Sequence, residues 1–274
     1  MGRGLGKKVG RRYDIRLRHN RLGGLTERAA EESGSDVAAL ALAGVVRRFG
    51  RRWVLRGVSL RVEPGEVVAL TGRNGSGKTT LLRVSATSLR PTRGSVRVFG
   101  LDVVADAAAV RALVGVLAHH AGLYEDLTAS ENLAFAQRMY GSAADGRRIA
   151  AVLDQVGLGR EAGERVRGFS AGMRRRLALA RVLVRPPRLL LLDEPYASFD
   201  AEGIELVNRF AAQVAGAGGA VVVATHELTR ARGVVDRTVR IEEGVLVERD
   251  VAADIEADGA VGGWVRLQAV EGGS

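Results

Sequence analysis

The chain has 274 residues, a formal net charge of +10, 46% hydrophobic residues, 4% aromatics and no cysteine. That length holds one large or two small domains with a substantial core, and the lack of cysteine excludes disulfides and cysteine-ligated metals while permitting a reducing compartment. The positive charge is nearly all arginine, spread along the chain without interleaved aromatics, which argues against a base-stacking nucleic-acid surface; anionic lipid headgroups or plain composition account for it as well.

Residues 1–36 carry Arg3, Lys7, Lys8, Arg11, Arg12, Arg16, Arg18 and Arg21 among glycines and read as a basic, disordered arm ending in a polar linker. Tyr13-Asp14-Ile15-Arg16 follows Arg11-Arg12 in place of an apolar stretch, so no twin-arginine leader is expected. From Val37 the pattern becomes dense. Residues 37–43 and the alternating residues 58–62 predict strands, with Arg48-Phe49-Gly50 between them. Glu63-Pro64-Gly65-Glu66 is a turn into the apolar run 67–70, a buried strand.

That strand leads into Gly72-Arg73-Asn74-Gly75-Ser76-Gly77-Lys78-Thr79-Thr80, which matches G-x-x-x-x-G-K-[ST], and a helical pattern begins at Leu81. The glycines let the loop wrap tightly with its N–H groups turned toward phosphate oxygens, and the helix adds the positive end of its dipole. In such a loop Lys78 would reach the β- and γ-phosphates and the Thr79 hydroxyl would hold Mg²⁺. The segment predicts a site for ATP or GTP.

Pro91-Thr92-Arg93-Gly94 marks a further turn, residues 95–99 an alternating strand, and residues 114–117 a short apolar strand that ends near His119-His120. Thr128 and Glu131 fit a capping box that opens a helix through Leu133, Phe135 and Met139; a second helix covers 147–156. In Gly168-Phe169-Ser170-Ala171-Gly172-Met173, Ser170 is an N-cap for a helix running to Val184. Arg174-Arg175-Arg176 reads as the solvated face of that helix. The leucines 189–192 form a buried strand whose end carries Asp193-Glu194-Pro195. Asp193 is placed to bind Mg²⁺ directly or through water, and Glu194 to orient or deprotonate an attacking water. A helix at 204–214, a strand at 220–225 and a helix at 226–232 follow. Short strands at 238–241 and 245–248 close the folded part, leaving a tail from 249 with a lone Trp264. The longest apolar runs are far too short to cross a bilayer.

The phosphate loop, Phe169-Ser170-Ala171-Gly172-Met173, the leucines before Asp193-Glu194-Pro195, Ala197-Ser198-Phe199-Asp200 and Thr225-His226-Glu227 stand in the order seen in ABC-transporter ATP-binding subunits. The chain resembles that family from about residue 37 to 247, most specifically at 169–173, which other P-loop proteins lack. The resemblance implies an α/β fold: a P-loop NTPase (RecA-like) core with an antiparallel β subdomain and an inserted α-helical subdomain of the ABC type. The ATP-binding domain would span 37–248 and the helical insert about 125–187.

By that resemblance Gly72, Asn74, Gly75, Ser76, Gly77, Lys78, Thr79 and Thr80 bind ATP, and Phe49 stacks on adenine unless it is an ordinary core phenylalanine. Thr79 and Asp193 hold Mg²⁺, Glu194 activates water, and His226 contacts the γ-phosphate. Ser170 and Gly172 face the ATP of a second subunit, and Asp200 crosses to it. One position departs from the family: His120 stands where a glutamine is usual beside Mg²⁺ and the attacking water. A neutral imidazole accepts a hydrogen bond from water but is a poorer Mg²⁺ partner than an amide oxygen.

The resemblance also implies a homodimer, or a heterodimer with another ATP-binding subunit, attached to an integral membrane transporter subunit at the cytoplasmic face of the cell membrane. No nucleic-acid partner is expected. Gly122-Leu123-Tyr124, Leu127-Thr128-Ala129 and Glu131-Asn132-Leu133 are similar to a stretch of the haem-exporter ATPases of cytochrome c biogenesis, which implies haem export. ABC-2 type drug and antibiotic exporters share Phe169-Ser170-x-Gly172-Met173 and are the alternative. A soluble ABC ATPase of DNA repair or translation would need a second nucleotide-binding unit, a coiled coil or a zinc module. A P-loop kinase would leave residues 169–173 unexplained.

Overall fold

In the computed structural model the described residues are 37–118, 122–197, 199–249 and 265–266. The arm 1–36, His119, His120, Ser198 and Trp264 lie outside them. Strands β1 (Leu40–Phe49) and β2 (Arg52–Val62) form a long antiparallel hairpin. Strand β3 (Val67–Thr71) leads through the phosphate loop to helix α1 (Lys78–Ser85). Strands β4 (Arg93–Val98) and β5 (Leu101–Asp102) complete a four-stranded antiparallel sheet in the order β2-β1-β4-β5.

Helix α2 (Ala107–Leu113) and strand β6 (Val114–Leu117) precede three helices: α3 (Ala129–Met139), α4 (Gly146–Gln155) and α5 (Ala171–Leu183). Then come β7 (Leu189–Asp193), α6 (Ala201–Gly216), β8 (Ala220–Ala224), a 3₁₀ turn at Leu228–Ala231, β9 (Arg237–Glu242), β10 (Val245–Arg249) and β11 (Val265–Arg266). The larger sheet runs β11-β10-β9-β3-β8-β7-β6, parallel from β9 to β6 and antiparallel at the β10–β11 edge.

The central strands β3, β8 and β7 are apolar up to the Thr71 and Asp193 that end β3 and β7, because both of their faces are covered, as parallel sheets require. Leu190, Leu192, Val221 and Val223 point into one core with α3–α6. Leu189, Leu191, Val68, Leu70 and Val222 point into a second, shared with α1 and the antiparallel sheet.

Local signals hold the helices in register. Thr128 Oγ1 accepts from the Glu131 N–H at 3.1 Å, and the Glu131 carboxylate accepts from the Thr128 N–H at 2.8 Å, closing the expected capping box. Buried Asn132 donates to the carbonyls of Tyr124 (3.0 Å) and Thr128 (2.9 Å) and so fastens the preceding loop to α3.

Three expectations need correction, and one helix stands where none is expected. The hairpin strands run beyond the expected 37–43 and 58–62, since Arg48 pairs with Trp53 and Phe49 with Arg52 next to the tip. The helix expected at 226–232 shrinks to the 3₁₀ turn, since Arg232 turns extended and Gly233 takes φ +81°. Helix α2 leaves no signal in the sequence, because Val110 is its only buried residue and gives no apolar period. The tail contributes β11, whose Arg266 pairs with Val247, so the folded part does not close at β10.

Candidate functional site

Strand β8 lies between β3 and β7, so the C-terminal ends of all three emerge side by side. Thr225 N–H donates to the Leu70 carbonyl (3.1 Å) and Glu194 N–H to the Ala224 carbonyl (2.8 Å), carrying the ladder past the strand ends. The phosphate loop, Asp193-Glu194 and His226 are thereby brought together. Crevices outside such strand ends are where open α/β sheets bind ligands.

Glycine is required in the loop on two counts. Gly72 and Gly77 adopt φ of +141° and +118°, and a Cβ on Gly72 would collide with the Ile241 carbonyl. Lys78 is only 6% exposed. Its ammonium donates to the Gly72 carbonyl at 2.8 Å and stands 3.6 Å from Glu194 Oε1. Ser76 Oγ is buried and has no hydrogen-bond partner, an unmet polar atom in a loop whose backbone fits phosphate oxygens.

The Thr79 hydroxyl donates to Asp193 Oδ1 at 3.1 Å. The first helical turn after the loop and the end of β7 thus present two hard oxygen donors to one point, a set that fits Mg²⁺ when phosphate oxygens and water supply the rest. Among the described residues no cluster of three or more His, Cys, Asp or Glu side chains offers another metal site.

Glu194 has φ +47°, a left-handed backbone that costs a non-glycine residue on the order of 1–3 kcal/mol. Its Oε2 lies 2.9 Å from His226 Nδ1. His226 lies two residues past the end of β8, and the turn after it is anchored from two sides. Asn208 donates to the Arg230 carbonyl at 2.7 Å, and Arg230 donates to the Tyr196 carbonyl at 3.1 Å. The Tyr196 hydroxyl in turn bonds Asn208 at 2.8 Å; burial pushes its pKa well above the usual phenol value.

Phe49 is 43% exposed, which removes the core-phenylalanine alternative, and the Arg47 guanidinium sits 4.5 Å from its ring centre. Arg52, its cross-strand partner, comes within 3.9 Å of where a Cβ on Gly75 would lie, so the hairpin end borders the phosphate loop. Ser170 caps α5 by accepting from the Met173 N–H at 3.2 Å. Asp200 caps α6 by accepting from the Gly203 N–H at 2.9 Å. Among the described residues, no hydrogen bond or ion pair joins Ser170, Gly172 or Asp200 to the phosphate loop. A cleft of about 390 Å³ between α3 and α4, lined in part by Ala134, Ile149 and Leu153, contains none of these site residues.

A model of the ABC transporter family matches residues 55–197, from β2 through the phosphate loop and Ser170 to Asp193-Glu194. The chain belongs to that family. It is an ABC transporter ATP-binding subunit and an ATPase, with the P-loop NTPase fold of the ABC type.

This ABC subunit is 37% identical over 222 residues to the daunorubicin resistance ATP-binding protein DrrA3 of Streptomyces coeruleorubidus, covering 80% of the chain and 70% of that protein. It is 40% identical over 188 residues to the cytochrome c biogenesis ATP-binding export protein CcmA 2 of Cupriavidus metallidurans, covering 69% of the chain and 89% of that protein. A solved dimer of an ATP-binding cassette in a post-hydrolysis state, bound to ADP and Pi, matches with a TM-score of 0.69 and 26% identity, over 76% of this chain and 96% of that one. No helix among the described residues is long and apolar enough to cross a membrane.

In this ABC subunit the arginine run after Met173 is not a solvated face. Arg175 is 6% exposed. Its Nη1 donates to the Ala118 carbonyl and its Nη2 to the Glu194 carbonyl, each at 2.8 Å. Burial pulls its pKa below the ordinary guanidinium value, and the nearby Asp193 carboxylate opposes that shift. Arg176 reaches Glu202 at 3.0 Å and Asp200 at 3.5 Å. Consecutive helical residues are about 100° apart, so three in a row cannot share one face. The signal was present: Arg175 lies at i, i+4, i+7 with Leu179 and Val182, both buried.

Proposed function

We propose that this ATPase works as a dimer of ATP-binding subunits and powers export through a separate membrane-spanning subunit, with haem as the cargo. The convergence of Lys78, Thr79, Asp193, Glu194 and His226 at three neighbouring strand ends carries the hydrolytic part of the reading. In it, the loop N–H groups and Lys78 hold the β- and γ-phosphates, and Phe49 stacks on adenine. Thr79 and Asp193 would hold Mg²⁺, which when bound neutralises charge on the β- and γ-phosphates. Glu194 accepts a proton from water as the water oxygen bonds to the γ-phosphorus. The bond to the β–γ bridging oxygen breaks, and ADP keeps that electron pair. His226 holds the second oxygen of Glu194 and offers its remaining ring nitrogen to the γ-phosphate.

The dimer reading is supported by what a single chain leaves unused at this site. The capped N-terminus of α5, with Ser170 and Gly172, is built for an anion but bonds nothing in its own phosphate loop; the ATP of a second subunit fits it. The related cassette solved as a dimer with ADP and Pi supports the arrangement. The haem reading is supported by the 40% identity to a cytochrome c biogenesis export protein and by residues 122–133. Drug export is the second reading, favoured by the 37% identity to a daunorubicin resistance protein over a larger share of the chain.

Purification from native membranes with the partner attached, followed by identification of the partner and an absorption spectrum, tests both. A haem band that accompanies the membrane partner is the expected result. A haem-free complex whose loss sensitises cells to a drug selects the second reading. ATPase activity stimulated by DNA or ribosomes, with no membrane partner recovered, would overturn both.

A further inference from the structure

We infer that Arg175 is a positioning residue for ATP hydrolysis: its guanidinium clamps the backbone of Glu194 and so fixes where that carboxylate stands. The inference rests on the reading that Glu194 acts on the attacking water.

Arg175 lies in the second turn of α5, five residues after Ser170, with its fork turned inward against the sheet. The fork spans two strand ends. Nη1 takes the carbonyl of Ala118, just beyond β6, and Nη2 takes that of Glu194, just beyond β7; these strands are neighbours, with Leu117 opposite Leu192. The planar guanidinium suits this task, since its donors diverge in a fixed geometry and each can meet one carbonyl.

Glu194 needs such a hold. A glutamate at φ +47° persists only where its surroundings over-determine it, and such outliers gather at functional sites. Its N–H is held by the Ala224 carbonyl at 2.8 Å and its carboxylate by His226 at 2.9 Å. Its carbonyl is held by Arg175. Without that bond Glu194 can turn about its N–Cα bond out of the left-handed region, and that rotation carries Cβ and the carboxylate with it. Displacements on the scale of an ångström at a reacting group cost about a hundredfold in rate.

The clamp comes from the helix that Ser170 begins. A shift of α5 is therefore transmitted through one buried side chain to the backbone of Glu194. By the dimer reading, α5 meets the partner's nucleotide while Glu194 serves the nucleotide in its own loop. Arg175 then joins the two sites of the dimer.

The test uses the full chain carrying Arg175→Gln or Arg175→Lys, each alone and combined with Glu194→Gln. Affinity for a fluorescent ATP analogue, thermal stability, kcat and KM are measured. Both single variants are expected to keep ATP affinity within about twofold of the parent while kcat falls about tenfold or more. Neither should lower the residual rate of Glu194→Gln any further, because the inferred effect of Arg175 on turnover runs through the Glu194 carboxylate. Lysine keeps the charge but cannot span both carbonyls, so wild-type kcat in Arg175→Lys would overturn the clamp. Equal losses of ATP affinity and kcat, or a loss that multiplies on top of Glu194→Gln, would overturn it as well. If Arg175→Gln does not fold, Arg175→Lys, with its charge and stem intact, decides. Wild-type turnover in Glu194→Gln itself would instead remove the role of Glu194, whatever the Arg175 variants do.

Discussion

At Glu194 the backbone and the carboxylate are held by different parts of the chain, Ala224 and Arg175 on one side and Lys78 and His226 on the other. An amide in place of the carboxylate keeps the volume but cannot take a proton from water. Glu194→Gln is therefore expected to bind ATP normally and lose about a hundredfold or more in turnover, with ATP-bound dimers accumulating; phosphate release and size-exclusion profiles report both effects. Lys78→Ala should act earlier, raising the Kd for ATP about tenfold or more in equilibrium binding, because it removes the buried cation of the loop. These residues were legible in the sequence because short-range chain geometry dictates their spacing. A phosphate loop is made within nine residues, and an acidic pair at a strand end needs only the strand. Arg175 was not legible in the same way. Its acceptors lie 57 and 19 residues away, and only the fold brings them to it. The place given to His120 lies outside the described residues.

Helix α3 shows how far one element can be read from local chemistry. Its capping box was visible as Thr128 and Glu131, and the reciprocal bonds are formed. Thr128→Ala is expected to cost about 1 kcal/mol, read as a lowered urea midpoint with unchanged slope. The Thr128 backbone N–H, and then its hydroxyl, hold the Glu131 carboxyl below its ordinary pKa. A depressed folded-state pKa contributes stability that is complete above the unfolded value and lost as pH falls through the folded one. The difference in urea midpoint between Glu131→Gln and the parent should thus be present at neutral pH and vanish in acid; a constant difference would show that the carboxylate's charge contributes nothing. Elements with such caps or with a clear apolar period were legible. The turn after His226 was not: its short run of polar residues suggested a helix, but bonds from Asn208 and Arg230 set its geometry. Tertiary contacts overruled local propensity there.

Over the whole molecule, the two cores share the central strands, whose alternate residues face opposite layers. The leucine and valine runs announced burial on both faces, and the family resemblance announced the class of fold. Strand order was beyond the sequence, because parallel neighbours are joined by long crossovers and nothing local names the partner. That order has a consequence for how the protein is made. Strands β3 and β7 do not touch; β8 separates them by about 10 Å between their axes. A nascent chain that has emerged only through α6 carries the phosphate loop and Asp193-Glu194 but lacks the strand that seats one beside the other. Long-range pairing of this kind is delayed until its last member exists. Capture of stalled nascent chains on immobilised ATP should therefore rise abruptly once residues 220–224 clear the ribosome, not when the phosphate loop does. Retention of chains that end at residue 216 would contradict this, and would mean that nucleotide binding precedes assembly of the central sheet.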